Sequence, residues 1–295
     1  MATIAFIGVG NMGGPMAANL VKAQHKVLAF DLSKDNLDRA EAVGAERMAS
    51  MADAVAAAEI VVTMLPAGPE VRAVYLGEGG IVGQVKPGTL LIDASTIDVE
   101  SARAVAAGAA AAGLEMLDAP VSGGVGGASA GTLTFMVGGT ADAFAKAEAV
   151  LAQMGKTIVH AGASGAGQAA KICNNMILGI SMVAVSEAFN LADKLGLDRQ
   201  KLFDVASRSS GQCWSLTSYC PVPGPVPTSP ANRDYQAGFT AAMMAKDMRL
   251  AQQAAQAAGA VTPLGAAAAQ IYGLMNAAGH GQQDFSAVIR LLAGK

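Results

Sequence analysis

The stretch that decides the fold is "IAFIGVGNMGGPMAANL", residues 4–20. It begins as a short apolar run, turns at Gly8, Gly10 and Gly13, and continues with residues that favour a helix. These glycines fit the spacing G-x-G-x-x-G, which allows a tight turn, close approach of a pyrophosphate and close helix–strand packing. The stretch therefore predicts a strand, a turn and a helix whose N-terminus binds the diphosphate of a dinucleotide.

A carboxylate follows the glycines where a ribose contact is expected. The second apolar run ends at Asp31, and an acidic residue about 20 positions after the glycines typically binds the ribose 2′-hydroxyl. An anion there would repel a 2′-phosphate, so we predict NAD over NADP, although Lys34 follows closely. The alternative is that Asp31 caps a helix or shapes a turn. Asn11 and Met12, inside the glycine turn, are predicted to contact the same cofactor.

The first half of the chain alternates between β-rich runs and stretches that favour helices. The runs are "TIAFIG", "KVLAFD", "IVVTML", "TLLIDAS", "LEMLDAP", "LTFMVGG" and "TIVHAG". Such alternation predicts an α/β fold with a Rossmann-type, doubly wound and largely parallel sheet. The runs are apolar throughout, which indicates that helices cover both faces.

The pattern changes near Gly162, after which no convincing strand follows. We predict a NAD-binding Rossmann domain over residues 1–163 and a long interdomain helix over 164–195 that stops at Gly196. Residues 196–295 are predicted to form an all-helical domain for substrate binding and oligomerisation.

Composition limits the classes of function. The net charge is −3 and the basic residues are scattered, so neither nucleic acid nor a membrane surface is expected as a partner. Three cysteines make no disulfide framework, and three distant histidines make no metal site. The apolar run from Met176 to Ala192 contains Glu187 and Asn190, which favours a buried helix over a membrane span. With no recognisable leader peptide, we expect a cytoplasmic protein.

Further candidates stand where strands end, because ligands of open α/β sheets bind at the carboxyl ends of strands. Among them, Thr96 could instead cap the following helix, and residues 122–124, the serine–glycine segment, could be a plain turn. The candidates are Leu65, Pro66, Thr96, Ser122, Gly123 and Gly124.

One charged residue stands in the otherwise small and apolar stretch "GAGQAAKICNN", residues 165–175. This residue is Lys171, and Asn175 would share its helix face four positions later. From the local sequence, Lys171 could equally extend from a surface helix into water. Cys173 should point away from that face and be buried.

Four motifs in order resemble those of the β-hydroxyacid dehydrogenase family. They are "FIGVGNMGGPMAANL" (6–20), "DAPVSGG" (118–124), "GAGQAAKICNN" (165–175) and "AKDMRLA" (245–251). Segment 209–227, "SSGQCWSLTSYCPVPGPVP", is most similar to members that oxidise 3-hydroxyisobutyrate to methylmalonate semialdehyde with NAD, in valine degradation.

The resemblance implies roles for individual residues. Lys171 is the catalytic residue, with Asn175 as its polar companion, and Lys246 contacts the cofactor. The substrate carboxylate is held by Ser122, Gly123 and Gly124, and the substrate pocket is lined by Trp214, Tyr219 and Asp247. Trp214 could instead anchor a core. Family members are commonly dimers or tetramers, so a homo-oligomer is expected.

The implied chemistry requires a base that removes a hydroxyl proton as hydride leaves the carbon. A free lysine has a pKa near 10.4, so we expect burial and the cationic nicotinamide to lower the pKa of Lys171. Two alternatives stay open. One is the same reaction on another 3-hydroxy acid (L-serine, 3-hydroxypropionate, or reduction of tartronate semialdehyde). The other is a non-enzymatic dinucleotide-binding redox sensor, which would need neither Lys171 nor Asn175.

Overall fold

The structure is a computed structural model that describes residues 1–294. The chain divides into two compact units, Met1–Lys171 and Ile172–Lys295. Lys295, the last residue of the predicted helical domain, lies outside the described residues. The division falls between the two predicted domain limits, at 163 and 195, and those limits stay a prediction.

The first unit is built on a nine-stranded sheet. Strands run in the order β3-β2-β1-β4-β5-β6-β8-β7, and β9 pairs with β8. The first six strands in this order are parallel, whereas β8 is antiparallel to β6 and β7. The predicted doubly wound Rossmann fold is thereby confirmed. The strands are β1 (Thr3–Ile7), β2 (Lys26–Phe30), β3 (Glu46–Arg47), β4 (Ile60–Thr63), β5 (Leu90–Asp93), β6 (Glu115–Asp118), β7 (Val121–Ser122), β8 (Leu133–Gly138) and β9 (Gly155–Gly162).

Helices and buried side chains cover both faces of this sheet. Along β1, Ile4 and Phe6 belong to one hydrophobic cluster and Ala5 and Ile7 to another. Successive side chains of a strand point to opposite faces, so an apolar strand contributes to both clusters. The helices are α1 (Gly13–Lys22), α2 (Lys34–Ala42), α3 (Met51–Ala56), α4 (Gly68–Leu76), α5 (Val99–Ala111), α6 (Gly124–Ala130) and α7 (Ala141–Leu151).

Two strands were not predicted from the sequence. They are β3 and β7, each two residues long. A strand of that length is too short to show an alternating pattern, so neighbouring strands rather than local sequence define it.

The second unit is helical, as predicted. The long helix α8 begins in the first unit and continues through the second, and its bounds agree with the predicted helix. Residues 220–235 contain five prolines, which cannot continue a helix, and the only helical turn in this segment is a short 3₁₀ turn at Pro230–Arg233. The helices are α8 (Ala166–Lys194), α9 (Arg199–Ala206), α10 (Trp214–Thr217), α11 (Ala241–Ala258), α12 (Pro263–Met275) and α13 (Val288–Leu292).

Helix α8 is long and apolar enough to cross a membrane by length and composition. Its most apolar window has a mean hydropathy of 1.4 and is 44% buried inside the protein. Buried polar side chains stand on it at Gln168, Lys171, Asn175 and Ser186. Polar groups are expensive to place in lipid, so these side chains argue against a membrane span for α8.

Candidate active site

The glycine turn leaves an open cradle at the start of α1. Gly8 has a φ of 89°, and a Cβ at Gly13 would overlap the carbonyl oxygen of Gly8. A Cβ at Gly10 would meet only Asn36, 3.6 Å away, so the chain itself does not fill this space. Within residues 1–294, no side chain caps α1 and no acidic residue stands in its first turn. The N–H groups there suit a diphosphate, so the cradle fits the predicted cofactor.

Asp31 lies directly after β2 and shapes this turn. Its carboxylate accepts hydrogen bonds from the N–H of Val9 at 2.9 Å, the N–H of Ser33 at 2.8 Å and the amide of Asn36 at 3.0 Å. Ser33, not Asp31, caps α2. A carboxylate has about four acceptor positions, so one remains for a ribose hydroxyl beside the turn contacts. The turn role and the ribose role of Asp31 are therefore compatible.

We predict that Asp31→Asn weakens discrimination against NADP. The Asp31 carboxylate is proposed to repel the 2′-phosphate of NADP by about 1–4 kcal/mol, and asparagine removes this charge. The ratio of kcat/KM with NAD to kcat/KM with NADP should therefore fall by about 10-fold or more. Steady-state kinetics with each cofactor measure it. Asp142→Asn, an exposed change of equal charge on α7, is the control and should leave the ratio unchanged. An unchanged ratio in Asp31→Asn would contradict the proposed role of Asp31.

The other predicted cofactor residues of the first unit lie after neighbouring strands. The turn at Gly8 follows β1, Leu65 follows β4 and Thr96 follows β5, and these three strands are adjacent in the sheet. Asn11 and Pro66 are exposed, and Met12, Leu65 and Thr96 are half-buried. The alternative that Thr96 caps the following helix is wrong, because Asp98 caps α5.

Buried hydrogen bonds hold these strand ends. The hydroxyl of Ser95 accepts from the N–H of Leu65 at 2.8 Å and donates to Asp93 at 2.6 Å. The hydroxyl of Thr63 donates to the same oxygen of Asp93 at 2.7 Å. Burial raises the pKa of Asp93 to about 6, and its other oxygen has no hydrogen-bond partner in the described part of the chain. Sequence reasoning missed Asp93 because its hydrogen-bond partners come from β4 and from the end of β5, which lie 30 positions apart in the chain.

The carboxylate of Asp118 holds the start of α8. It accepts from the N–H of Gly165 at 2.6 Å and from the N–H of Gln168 at 2.9 Å. Burial raises the pKa of Asp118, whereas hydrogen bonds from the backbone lower it. A negative charge at a helix N-terminus is favourable, so Asp118 anchors α8 to the end of β6.

Lys171 lies on the next turn of α8 and is buried, with 7% of its surface exposed. The alternative of a lysine on a solvated surface is therefore wrong. Cys173, which we expected to be buried, is exposed instead. The two residues are two positions apart on a helix, so they face different directions.

The serine–glycine segment forms the junction between an edge strand and a helix. Ser122 ends β7 and pairs with Thr134 of β8. Gly123 has a φ of 135° and Gly124 a φ of 61°, both in the region that favours glycine. In the sheet order, β6 and β8 separate β7 from β5.

In the second unit, two predicted residues are in direct contact. The amide nitrogen of Asn175 donates to Asp247 at 2.5 Å, and both side chains are buried. The amide oxygen of Asn175 accepts from Asn174 at 3.0 Å. Lys246, half-buried, precedes Asp247 on α11. These contacts fix the orientation of the Asn175 carboxamide.

Trp214 and Tyr219 form an aromatic stack. Their ring centroids are 5.0 Å apart, and Tyr219 also stacks on Phe285. Trp214 is 52% exposed, so the alternative of a core anchor is wrong. The Tyr219 hydroxyl donates to the buried carboxylate of Asp284 at 2.8 Å, and burial with this carboxylate raises the pKa of Tyr219. Because the hydroxyl proton of Tyr219 is donated to Asp284, a ligand could contact the ring of Tyr219 but not receive that proton.

A metal centre is not found over the residues that the structure describes: no group of three or more His, Cys, Asp or Glu side chains could hold an ion. The dinucleotide cradle is the part of the site whose geometry identifies a cofactor class. Together with the Rossmann sheet, it defines a dinucleotide-binding protein.

Comparison with known proteins agrees with this class. The family model for the NAD-binding domain of 6-phosphogluconate dehydrogenase matches residues 3–162. The model described as the NAD-binding domain of NADP-dependent 3-hydroxyisobutyrate dehydrogenase matches residues 165–292. The chain belongs to the β-hydroxyacid dehydrogenase family, which confirms the resemblance.

Three relatives illustrate the match. A 3-hydroxyisobutyrate dehydrogenase of Pseudomonas aeruginosa is 51% identical over 297 residues, covering 100% of both chains. A NAD-dependent L-serine dehydrogenase of the same organism is 48% identical over 291 residues, covering 99% of this chain and 98% of its own. The structure of Mycobacterium tuberculosis 3-hydroxyisobutyrate dehydrogenase with L-serine is 52% identical, with a TM-score of 0.95 and 99% of each chain covered.

These matches settle the coarse activity. The protein is an enzyme, a NAD-dependent dehydrogenase of 3-hydroxy acids. The alternative of a non-enzymatic redox sensor is therefore abandoned.

Proposed function

We propose that the enzyme oxidises 3-hydroxyisobutyrate to methylmalonate semialdehyde with NAD, as a step of valine degradation within branched-chain amino acid catabolism. The burial of Lys171 is the observation that carries this proposal. Lysine is rarely buried to this extent, and removal of a proton from a substrate hydroxyl would account for its place here. Relatives named for this substrate support the choice of hydroxy acid.

In the proposed mechanism, Lys171 accepts the hydroxyl proton during oxidation. Bound NAD supplies a hydride acceptor. In the reductive direction Lys171 returns the proton to the carbonyl oxygen. Asn175 lies one helical turn further along α8, and Asp247 and Asn174 orient its carboxamide. We assign it the role of orienting the substrate hydroxyl or the lysine.

The remaining candidates receive binding roles. For the cofactor these are the cradle residues Gly8, Gly10, Asn11, Met12 and Gly13, with Asp31, Leu65, Pro66, Thr96 and Lys246. Backbone N–H groups without side-chain obstruction suit an anion, which favours the serine–glycine junction for the substrate carboxylate. The substrate-binding residues proposed are Ser122, Gly123, Gly124, Trp214, Tyr219 and Asp247.

A second candidate substrate is L-serine. The 48% identical relative named NAD-dependent L-serine dehydrogenase favours it, and both acids carry a carboxylate and a primary alcohol. 3-Hydroxypropionate carries both groups as well, and tartronate semialdehyde carries the carboxylate and an aldehyde that reduction converts to a primary alcohol. The substrates differ mainly by a methyl or an ammonium group on the central carbon.

A substrate panel tests the choice. We expect kcat/KM for 3-hydroxyisobutyrate to exceed that for L-serine and 3-hydroxypropionate by about 10-fold or more, since a lost methyl contact costs about 1–3 kcal/mol. NADH formation measures the oxidations, and NADH consumption measures reduction of tartronate semialdehyde. A higher kcat/KM for L-serine would replace the proposed substrate and leave the Lys171 mechanism in place.

We also propose that the enzyme is a cytoplasmic homodimer or homotetramer. Ile177, Ala184 and Leu191 are exposed at intervals of seven along α8, and the two larger side chains are 67% and 59% exposed. That spacing puts them on one helix face, which a second copy could cover.

The three free cysteines of the protein suit a reducing compartment, which favours the cytoplasm. Sedimentation velocity distinguishes the oligomer from a monomer, and cell fractionation tests the location.

A further inference from the structure

Gln168 connects a cofactor-facing strand end to the helix that carries Lys171. Its side-chain oxygen accepts from the N–H of Ile97 at 3.1 Å, and its side-chain nitrogen donates to the carbonyl of Ser95 at 2.7 Å. The carboxamide therefore bridges the residues on either side of Thr96. Gln168 is fully buried.

The backbone of Gln168 is held as well. Its N–H donates to Asp118, which also accepts from Gly165 at the start of α8. Both the main chain and the side chain of this one residue are thus fixed, the first to β6 and the second to the segment after β5. Buried amides lose free energy when left without a partner, so these bonds define one position for the first turn of α8.

Lys171 follows Gln168 by three positions, which places it on the same side of α8, one turn along. A shift in the first turn of the helix would move the lysine amine by a similar amount. We propose that Gln168 is a positioning residue, which sets the location of the Lys171 amine relative to Thr96 and the cofactor. This inference rests on the proposed role of Lys171 as the proton acceptor.

Gln168→Met tests the inference, because methionine has a similar length but can make neither side-chain hydrogen bond. A misplacement of about 1 Å can reduce a rate by about 100-fold, so we expect kcat to fall by about 30- to 100-fold. The glycine turn and Asp31 are untouched, so the Kd for NAD should change by less than about 3-fold. Gln153→Met is the matched control. It removes a half-buried glutamine whose oxygen is buried without a partner among the described residues, and it should leave kcat unchanged.

A double-mutant cycle separates positioning from general loosening. If Gln168 acts through Lys171, adding Gln168→Met to Lys171→Ala should lower kcat by less than about 3-fold further, because coupled residues are not additive. The inference would be overturned if Gln168→Met lowered kcat in the Lys171→Ala background by as much as it does in the wild type. A rise in the Kd for NAD that matches the loss of kcat/KM would overturn it too, because Gln168 would then be shaping the cofactor site.

Gln168→Glu covers the case in which the methionine variant does not fold. It preserves length and the acceptor for Ile97, but it puts an oxygen, negatively charged when ionised, against the carbonyl of Ser95 where the amide had donated, so kcat should still fall while NAD binds normally. Unchanged kcat in either folded variant, beside an inactive Lys171→Ala, would overturn the positioning role alone. Near-normal turnover in Lys171→Ala would overturn the proposed mechanism and the positioning role together.

Discussion

Lys171→Ala should lower kcat by about 100- to 10,000-fold, the range that a positioned acid–base group contributes. The substitution removes the group proposed to accept the hydroxyl proton. Among the residues proposed to bind the substrate, the ionisable side chains are Tyr219 and Asp247. The Tyr219 hydroxyl donates to Asp284 and Asp247 accepts from Asn175, so neither is placed as a substitute base. The Kd for NAD should change by less than about 3-fold, since Asp31 and the glycine turn are unaltered.

Two variants control for indirect effects of this change. Lys171→Met fills the buried space without an ammonium group, so an equal loss of kcat there would exclude a cavity as the cause. Lys156→Ala removes an exposed lysine on β9 and should leave kcat unchanged. Stopped-flow measurement of NADH formation compares the variants. If Lys171→Ala retained near-normal kcat, Lys171 would not be the proton acceptor.

Asp93→Asn should change how stability depends on pH. Burial raises the pKa of Asp93 from 3.8 to about 6 in the folded protein. Between these values the folded chain binds more protons than the unfolded chain, so the free energy of unfolding falls as pH rises. At 1.36 kcal/mol for each pH unit, ionisation of Asp93 costs about 3 kcal/mol once the pH is above about 6. Asparagine is neutral and avoids this cost.

The difference in the free energy of unfolding between Asp93→Asn and the wild type should change with pH. Relative to the wild type, Asp93→Asn should gain about 3 kcal/mol in the free energy of unfolding between about pH 4 and pH 7. The new amide nitrogen can replace the oxygen that has no partner, so the three hydrogen bonds to the other oxygen survive. Urea unfolding across this range measures it, with Asp142→Asn as an exposed control. A difference that is independent of pH would show that Asp93 does not titrate in this way.

The cofactor half of the site was largely predictable because its signals are local. Gly8, Gly10 and Gly13 lie close together in the sequence, and the steric limits at Gly8 and Gly13 allow few other residues there. Asp31 was predicted from its spacing, but its bond to Val9 was not, because that contact depends on two strands being adjacent. The signal for Gln168 was present inside the motif at 165–175, yet nothing in the sequence indicated its partners.

Sequence alone determined the Rossmann fold, the long helix, the use of NAD and the family, because periodicity and short motifs express local backbone and steric requirements. Tertiary structure alone decided which polar groups meet. Gln168 reaches Ser95 and Ile97 across more than 70 positions, and Asn175 reaches Asp247 across 72. It also decided that Lys171 is buried and Cys173 exposed. The physical reason is that burial and hydrogen bonding depend on what packs around a residue, and those neighbours come from distant parts of the chain.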